Sequence, residues 1–398
     1  MPQPFSDTVR LLSGYSGYSG YSGYSGYSGY SGYSGYGGFE QGPTFAALIS
    51  TRDGIVGNWR GPAPDPYKTE LYVENPDNLS LWGAKERAEI FAFELAASIG
   101  FSVSPNDPKR AYVYQADPEF GADGVPQRAS YKVLAKFSRP DYDHFKGELE
   151  FVNNYAELRA DRSAEIMAQL GVPGAFYGAI VGWLQPDRAP QTWELLLTAL
   201  RLAYSVVMRV KHSLACRRPH EYSPQIQPMI PVPLHGTFPS GHATEAFIFA
   251  YVLWELLKDA DRQIYKEVIW GEQLMRQASR IAINRTIAGV HFPVDSAAGA
   301  MLGLTLGRYL VARCQGGNYA GWEFDGNNFA GDFEWRALFD LNRGQTDAPK
   351  EGAHPTNYIK KIVRDDYDYR LPPSTPAALP WLWQRAKAEW SPARISKP

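Results

Sequence analysis

The stretch HGTFPSGHATEAFIFAYVLWELL, residues 235–257, combines a loop with the start of an apolar helix. Pro239 breaks the chain, and Ser240 directly after it is a residue type that often caps a helix N-terminus. The amide of Gly241 can approach an anion closely, and the helix dipole favours negative charge there. His242 falls in the first turn, where its ring can exchange a proton with a bound oxygen atom. The stretch predicts an anion-binding helix N-terminus, although an ordinary capped helix with an incidental histidine would read the same.

Upstream, the segment KHSLACRRP (residues 211–219) places two cations seven residues apart. On one continuous helix closed by Pro219, Lys211 and Arg218 would share a face two turns apart. Two long cations on one face can converge on a multivalent anion, and the arginine fork suits a tetrahedral oxyanion. Alone, the pattern is typical of a solvated helix face.

Downstream, the segment NRTIAGVHFPVDSAAG (residues 284–299) places a histidine between two expected helices. The first helix is expected to end near Gly289, and the second to begin just after His291. Asp295 then lies in the first turn of the second helix, where its carboxylate can accept a hydrogen bond from the proton-bearing ring nitrogen of His291. The other ring nitrogen keeps its lone pair available. Arg285 adds a third cation to the set.

Together the three segments resemble a known signature. The pattern Lys-x6-Arg-Pro, Pro-Ser-Gly-His and Arg-x5-His-x3-Asp is similar to that shared by vanadium-dependent haloperoxidases, bacterial acid phosphatases and type-2 phosphatidic acid phosphatases. All three parts occur in order between Lys211 and Asp295. One departure is Asn284, where the phosphatase version usually has serine. The resemblance implies a mainly α fold, a helical bundle of the haloperoxidase and acid phosphatase type with irregular N- and C-terminal arms.

The resemblance also implies a role for each matching residue. His291 would be the phosphoryl-accepting nucleophile of a phosphatase or the single protein ligand of vanadium in a haloperoxidase. His242 would be the general acid–base, and Asp295 would orient His291. The equatorial oxygens of phosphate or vanadate would be held by Lys211, Arg218, Ser240, the amide of Gly241, and Arg285.

His235 bears on the choice between these activities. It lies seven residues before His242, a place where algal-type bromoperoxidases have a second histidine, and an imidazole there could tune bound peroxide and attract a halide. A loop histidine without a chemical role is the alternative. The resemblance therefore favours a haloperoxidase that uses vanadate, peroxide and a halide such as bromide. The alternative is a cofactor-free phosphatase that hydrolyses phosphate monoesters through a phosphohistidine.

The rest of the chain is organised around this bundle. Apolar residues at intervals of three and four predict helices at 173–184, 190–217, 243–258, 261–289 and 293–314, with little strand signal. We divide the chain into an N-terminal segment (1–12), a Ser-Gly-Tyr repeat (13–39), an irregular region packing on the bundle (40–139), the catalytic helical bundle (140–342) and a Pro-rich C-terminal arm (343–398). The arm has exposed-looking tryptophans at Trp381, Trp383 and Trp390.

Composition gives no sign of a nucleic-acid or membrane partner. The net charge is −2, from 40 basic and 42 acidic residues, which gives no reason to expect nucleic acid. The most apolar helices fall short of the roughly 20 apolar residues that span a bilayer, so no transmembrane anchor is predicted. No signal-peptide core is visible at the start. Localisation stays open, with an extracellular assembly as one alternative.

Cys216 and Cys314 are expected to be buried thiols.

The triplet Ser-Gly-Tyr recurs without error from Ser13 to Tyr36. Its composition is typical of a disordered low-complexity linker. An extended helix with three residues per turn would instead place every glycine on one edge, and a flat strand would form a two-sided tyrosine ladder. Both arrangements promote self-association. A third hypothesis is therefore a homo-oligomer or filament built from subunits of this fold.

Overall fold

The computed structural model describes residues 71–260, 263–342, 357–362, 367–369 and 378–391, together with a few positions between 48 and 55. The predicted N-terminal segment and the Ser-Gly-Tyr repeat, residues 1–39, lie outside the described residues. So do much of 40–70 and most of the C-terminal arm.

The described chain is mainly helical, which confirms the predicted fold class. Its helices are α1 (Ala84–Ala97), α2 (Tyr142–Tyr155), α3 (Arg159–Ala168), α4 (Gly174–Gly178), α5 (Pro190–Leu214), α6 (Pro219–Tyr222), α7 (Gly241–Asp259), α8 (Gln263–Lys266), α9 (Val268–Ile287), α10 (Pro293–Gln315), α11 (Trp335–Asn342) and α12 (Ala378–Ala388). The helix predicted at 173–184 shrinks to the short α4, because the chain turns repeatedly after it.

Helix α7 forms the centre of the bundle. It packs against α5, α9 and α10, and 13 of its 19 residues are buried. A helix that is apolar around its whole circumference can be stable in water only when neighbours cover every side. The FIFAYVLWELL run meets that condition, so the N-terminus of α7 is fixed from several directions.

Glycines on α10 let it lie unusually close to α7. A Cβ atom on Gly299 would lie 2.5 Å from the carbonyl oxygen of Ser240, and one on Gly303 would lie 2.4 Å from that of Thr244. Both partners advance by four residues in the same direction, so the two helices run parallel. Their N-termini therefore meet at the same end of the bundle.

A β-sheet replaces much of the region predicted as irregular. The strands are β1 (Ile99–Val103), β2 (Arg110–Phe120), β3 (Pro126–Ser138), β4 (Gly317–Tyr319), β5 (Trp322–Asp325), β6 (Ile359–Lys361) and β7 (Tyr367–Tyr369). Five of them pair in the order β1-β2-β3-β5-β6, with β3 and β5 parallel and the other pairs antiparallel. A separate pair joins β4 to β7.

The expectation of little strand was therefore wrong for residues 99–138. Along β2 the residues Ala111, Val113 and Gln115 are buried while their neighbours are partly exposed, the period of two expected of a half-buried strand. Tyr112 and Tyr114 on the other face hide this alternation in a simple apolar count.

Helix α12, in the described part of the C-terminal arm, packs onto the bundle, and the tryptophans of this part are not exposed. Trp383 and Trp390 are 0% exposed, and Trp381 is 8% exposed. Glu389 accepts hydrogen bonds from the main-chain amides of Gln191 and Thr192, each at 2.8 Å. The carboxylate thus caps the N-terminus of α5 and joins the segment after α12 to the bundle.

Cys216 and Cys314 are free and buried, as predicted. Among the helices that the structure describes, none has the length and hydropathy needed to cross a membrane.

Candidate active site

The helix that carries Lys211 ends earlier than predicted. Helix α5 stops at Leu214, and Ala215 follows in the left-handed conformation with a φ of 48°. Arg218 therefore precedes α6 and does not share a helix face with Lys211, so the expected continuous helix was wrong. The turn still brings the two cations together, because the carbonyl of Gly236 accepts from Lys211 Nζ at 2.9 Å and from Arg218 Nη2 at 3.3 Å.

Both cations are buried among main-chain carbonyls. Lys211 is 2% exposed and Arg218 is 1% exposed. Nζ of Lys211 also donates to the Thr237 carbonyl at 2.7 Å, and Arg218 Nη1 donates to the Val290 carbonyl at 2.7 Å. Burial lowers the pKa of Arg218 to about 10 and that of Lys211 well below its ordinary value. Two desolvated cations side by side favour an anionic partner.

The N-terminus of α7 has the predicted cap. The hydroxyl of Ser240 accepts from the amide of Ala243 at 3.3 Å, and Gly241 is the first residue of the helix. The Ser240 amide donates to the carbonyl of Asp295 at 2.9 Å, which ties this terminus to the first turn of α10. A Cβ on Gly241 would meet only Val207, at 3.9 Å, so protein atoms leave space beside this residue.

His291 is held at one ring nitrogen. Its Nδ1 lies 3.0 Å from Asp295 Oδ2 and 3.1 Å from the hydroxyl of Thr237. The same carboxylate oxygen accepts a short hydrogen bond from the Thr237 hydroxyl and another from the Phe292 amide at 2.9 Å. Because an ionised carboxylate can only accept, Nδ1 carries the proton and Nε2 carries the lone pair. No described residue forms a hydrogen bond with Nε2.

The surroundings keep the ring of His291 neutral. Burial, followed by the charges of Arg218 and Lys211, holds the pKa of His291 well below its usual range. Burial also raises the pKa of Asp295 to about 6, although hydrogen bonds from Thr237 and the Phe292 amide oppose the rise. Above that pH the pair consists of a carboxylate and a neutral imidazole with an available lone pair.

His242 lies close to the same charges. Its Nε2 is buried and has no hydrogen-bond partner among the described residues. Burial, followed by the charges of Arg285 and Arg218, holds the pKa of His242 well below its usual range, while a hydrogen bond to the main chain of Gln169 opposes the shift. A nearby anion would counter these cations and raise the pKa, which suits a group that exchanges a proton with a bound oxyanion.

Arg285 is fully buried and is held from α3. Its Nη2 donates to Gln169 Oε1 at 3.0 Å and to the Ile166 carbonyl at 3.3 Å. Asn284, the departure from the usual serine, donates from Nδ2 to Gln169 Oε1 and to Glu165 Oε1, both at 2.9 Å. Asn284 thus belongs to the polar network that supports the arginine next to it.

His235 is the exposed histidine of the group. Arg218 Nη2 lies 3.2 Å from its Nδ1, and because a guanidinium can only donate, Nδ1 must be the acceptor. The Gly236 carbonyl, also 3.2 Å from Nδ1, could accept only from the other tautomer. Partial burial, then the charges of Lys211 and Arg218, lowers the pKa of His235 to about 4. The ring is therefore neutral, with its proton on Nε2.

The structure thus places all nine predicted site residues around the adjoining ends of α5, α7, α9 and α10. Sequence reasoning missed Thr237 and Gln169. Thr237 stands inside the quoted 235–257 stretch, but nothing in the local pattern shows that its hydroxyl contacts Asp295. Gln169 is more than forty residues from any motif residue, and no sequence signal marks it.

A cluster of buried cations around a neutral, carboxylate-oriented histidine has the features expected of an oxyanion-binding histidine site. Residues 192–318 match the model of the PAP2 superfamily. The matched segment runs from α5 to β4, and the predicted resemblance to this superfamily is confirmed. The superfamily takes in phosphatases and haloperoxidases, which supports an enzyme of one of these kinds. No curated protein matches the chain.

The donor set fits a tetrahedral oxyanion rather than a metal cation. Throughout the part of the chain that the structure describes, no three His, Cys, Asp or Glu side chains form a metal-ligand group. The site instead offers cationic donors and the helix N-terminus at Gly241. It also presents the two ring nitrogens, Nε2 of His291 and Nε2 of His242, that have no described hydrogen-bond partner.

Proposed function

We propose that this protein is a vanadate-dependent haloperoxidase that uses peroxide to oxidise a halide such as bromide. The observation that favours this activity over hydrolysis is His235, a neutral and exposed imidazole in contact with Arg218 of the oxyanion site. Its Nε2–H can donate a hydrogen bond to peroxide, while the adjacent cations attract a halide. Phosphate ester hydrolysis gives this ring no role.

The residues present fit vanadate. Nε2 of His291 would be its one protein ligand, and imidazole nitrogen is a suitable donor for a transition metal. When bound, vanadate supplies a Lewis-acidic centre that activates peroxide. His242 would hold or release a proton at Nε2. The vanadate oxygens would be held by Lys211, Arg218, Ser240, Gly241 and Arg285.

A phosphatase is the second candidate, and the geometry of His291 itself supports it. With Nδ1 fixed by Asp295, the lone pair on Nε2 can attack a phosphorus atom. His242 would then protonate the leaving alcohol. In this case vanadate would inhibit the enzyme, because it mimics the five-coordinate geometry of phosphoryl transfer.

Paired assays on one preparation distinguish the two activities. The protein is stripped of bound metal and phosphate. Bromination of a phenolic dye by peroxide and bromide is measured with and without added vanadate, and hydrolysis of p-nitrophenyl phosphate is measured in parallel. The variants are His291→Ala and His235→Ala. His212→Ala is the matched control, because His212 is exposed on α5 and its ring contacts Arg209.

Vanadate-dependent bromination that is lost in His291→Ala and weakened in His235→Ala, but kept in His212→Ala, supports the haloperoxidase. Phosphate ester hydrolysis that vanadate inhibits, without bromination, rejects the haloperoxidase and supports the phosphatase. If both reactions are absent in folded protein, both proposals fail.

Self-assembly through the Ser-Gly-Tyr repeat stays a separate hypothesis. It concerns residues 13–39, which lie outside the described residues. Comparing the hydrodynamic size and electron micrographs of the full chain with those of a variant lacking residues 13–36 tests it. An unchanged oligomeric state would reject it.

A further inference from the structure

Gln169 lies directly after α3, outside the segment that matches the PAP2 superfamily. Its side chain is 1% exposed and faces the oxyanion site. The Oε1 atom accepts from Arg285 Nη2 at 3.0 Å and from Asn284 Nδ2 at 2.9 Å. The main chain of the same residue lies against His242. One residue therefore touches both a candidate oxyanion-binding cation and the candidate acid–base histidine.

The orientation of this amide is determined by its neighbours. Gln169 Nε2 donates to Glu165 Oε1 at 3.0 Å, which leaves Oε1 as the atom that faces Arg285. Glu165 in turn is bound by Arg280, with Nε–Oε1 and Nη2–Oε2 distances of 2.7 Å. The carboxylate charge of Glu165 is therefore matched on its outer side, and the group that meets Arg285 is a neutral amide.

A neutral partner matters for the charge of the site. A carboxylate at the same place would form an ion pair with Arg285 and offset its positive charge where an anion must bind. An amide fixes the guanidinium by a hydrogen bond and adds no charge of its own. Gln169 therefore subtracts nothing from the positive charge of the site, and a dianion gains about twice as much from that charge as a monoanion does.

We infer that Gln169 is a positioning residue that fixes Arg285 beside His242 and, being neutral, keeps the site selective for dianionic over monoanionic tetrahedral oxyanions. The inference rests on the proposed oxyanion site but holds for either the vanadate or the phosphate ester reaction.

Calorimetric titration of the full chain tests the inference. The probes are inorganic phosphate, which is mainly a dianion under mildly alkaline conditions, and perrhenate, a tetrahedral monoanion. Gln169→Glu preserves the shape of the side chain and adds a charge. Gln273→Glu is the matched control, because Gln273 is exposed on the same helix as Arg285 and roughly 18 Å from it along the axis.

We expect Gln169→Glu to weaken phosphate binding by at least roughly tenfold and perrhenate binding by clearly less. The defect relative to wild type should shrink as the pH is lowered and the new carboxyl becomes protonated. Its larger size for phosphate than for perrhenate separates it from a displacement of the side chain by repulsion from Glu165, which would weaken both anions alike. Gln273→Glu should bind both anions as the wild type does.

Equal losses for both anions, or a loss that does not change with pH, would overturn the inference. So would phosphate affinity equal to that of the wild type. Failure of the proposed function looks different. In that case the wild type itself would not bind phosphate, or His291→Ala would bind it unchanged and neither enzymatic assay would respond.

Discussion

Replacing Gly299 with alanine tests whether the contact between α7 and α10 sets the geometry of the site. Gly299 is buried on α10 against the first turn of α7. The added Cβ would lie 2.5 Å from the Ser240 carbonyl oxygen and 2.9 Å from Cβ of Ala243. Both obstacles belong to the backbone or to a side chain that cannot rotate away, so the helices themselves must separate.

The magnitude follows from these distances. A non-bonded carbon and oxygen atom need about 3.2 Å between them. The distance between α7 and α10 at this point must therefore grow by roughly 0.7 Å in a close-packed interior. Overpacking costs about 1–3 kcal/mol, and the better helix propensity of alanine offsets about 0.5–1 kcal/mol. We expect a net loss near 1 kcal/mol in the free energy of unfolding. Since a displacement of about 1 Å can reduce a rate roughly 100-fold, kcat/KM should fall by at least about tenfold.

Chemical denaturation and steady-state kinetics of Gly299→Ala measure the two effects, with the reaction that the wild type catalyses as readout. Gly147→Ala is the matched control, because Gly147 is exposed on α2 and a Cβ there meets nothing within 4 Å. The control should gain about 0.5–1 kcal/mol in stability without a change in rate. If Gly299→Ala behaves like Gly147→Ala in both measurements, the packing argument is refuted.

Two further predictions concern the pair of His291 and Asp295. Thr237→Val removes a buried hydroxyl and keeps the shape of the side chain. It should lower kcat roughly tenfold at a stability cost of about 1 kcal/mol, because Asp295 keeps its bonds to His291 and the Phe292 amide; a rate within twofold of wild type would contradict this. In wild type, kcat should fall as the pH drops through about 6 and Asp295 becomes protonated, and Asp295→Asn should be slow without that step. Because the pKa of Asp295 is higher in the folded than in the unfolded protein, the folded state binds this proton more tightly. Protonation of Asp295 therefore does not itself promote unfolding. An Asp295→Asn profile with the same acid limb would assign the limb to another group.

Much of the site is local in sequence, which is why it could be predicted. The cap at Ser240 and the pairing of His291 with Asp295 each depend on helix boundaries within a few residues. Proline and glycine mark such boundaries in any sequence. The convergence of Lys211 with Arg218 was also predicted, but for the wrong reason. A left-handed turn at Ala215, which no glycine marks, brings the two together across separate helices.

The parts that could not be predicted depend on contacts between distant segments. Gln169 reaches Arg285 because α3 packs on α9, a contact that periodicity on either helix leaves undetermined. The sheet depends on pairing between β3 and β5, nearly two hundred residues apart in the sequence. Trp383 and Trp390 look exposed in a Pro-rich tail because only tertiary packing decides what covers them.

The parallel arrangement of α7 and α10 connects packing with chemistry. Two parallel helices bring the positive ends of both dipoles to one place, where each adds roughly 0.3–1 kcal/mol of preference for negative charge. Asp295 supplies one negative charge in the first turn of α10, and its carbonyl accepts the amide of Ser240 at the start of α7. Lys211 and Arg218 are buried beside the same termini. A second carboxyl group, that of Glu148, accepts the Val294 amide at 3.3 Å, and burial raises its pKa to about 7. The close glycine contact that forces this alignment therefore does more than fill the core. It brings both positive helix ends, together with Lys211 and Arg218, to the end of the bundle where Nε2 of His291 is presented, the arrangement on which the proposed oxyanion site depends.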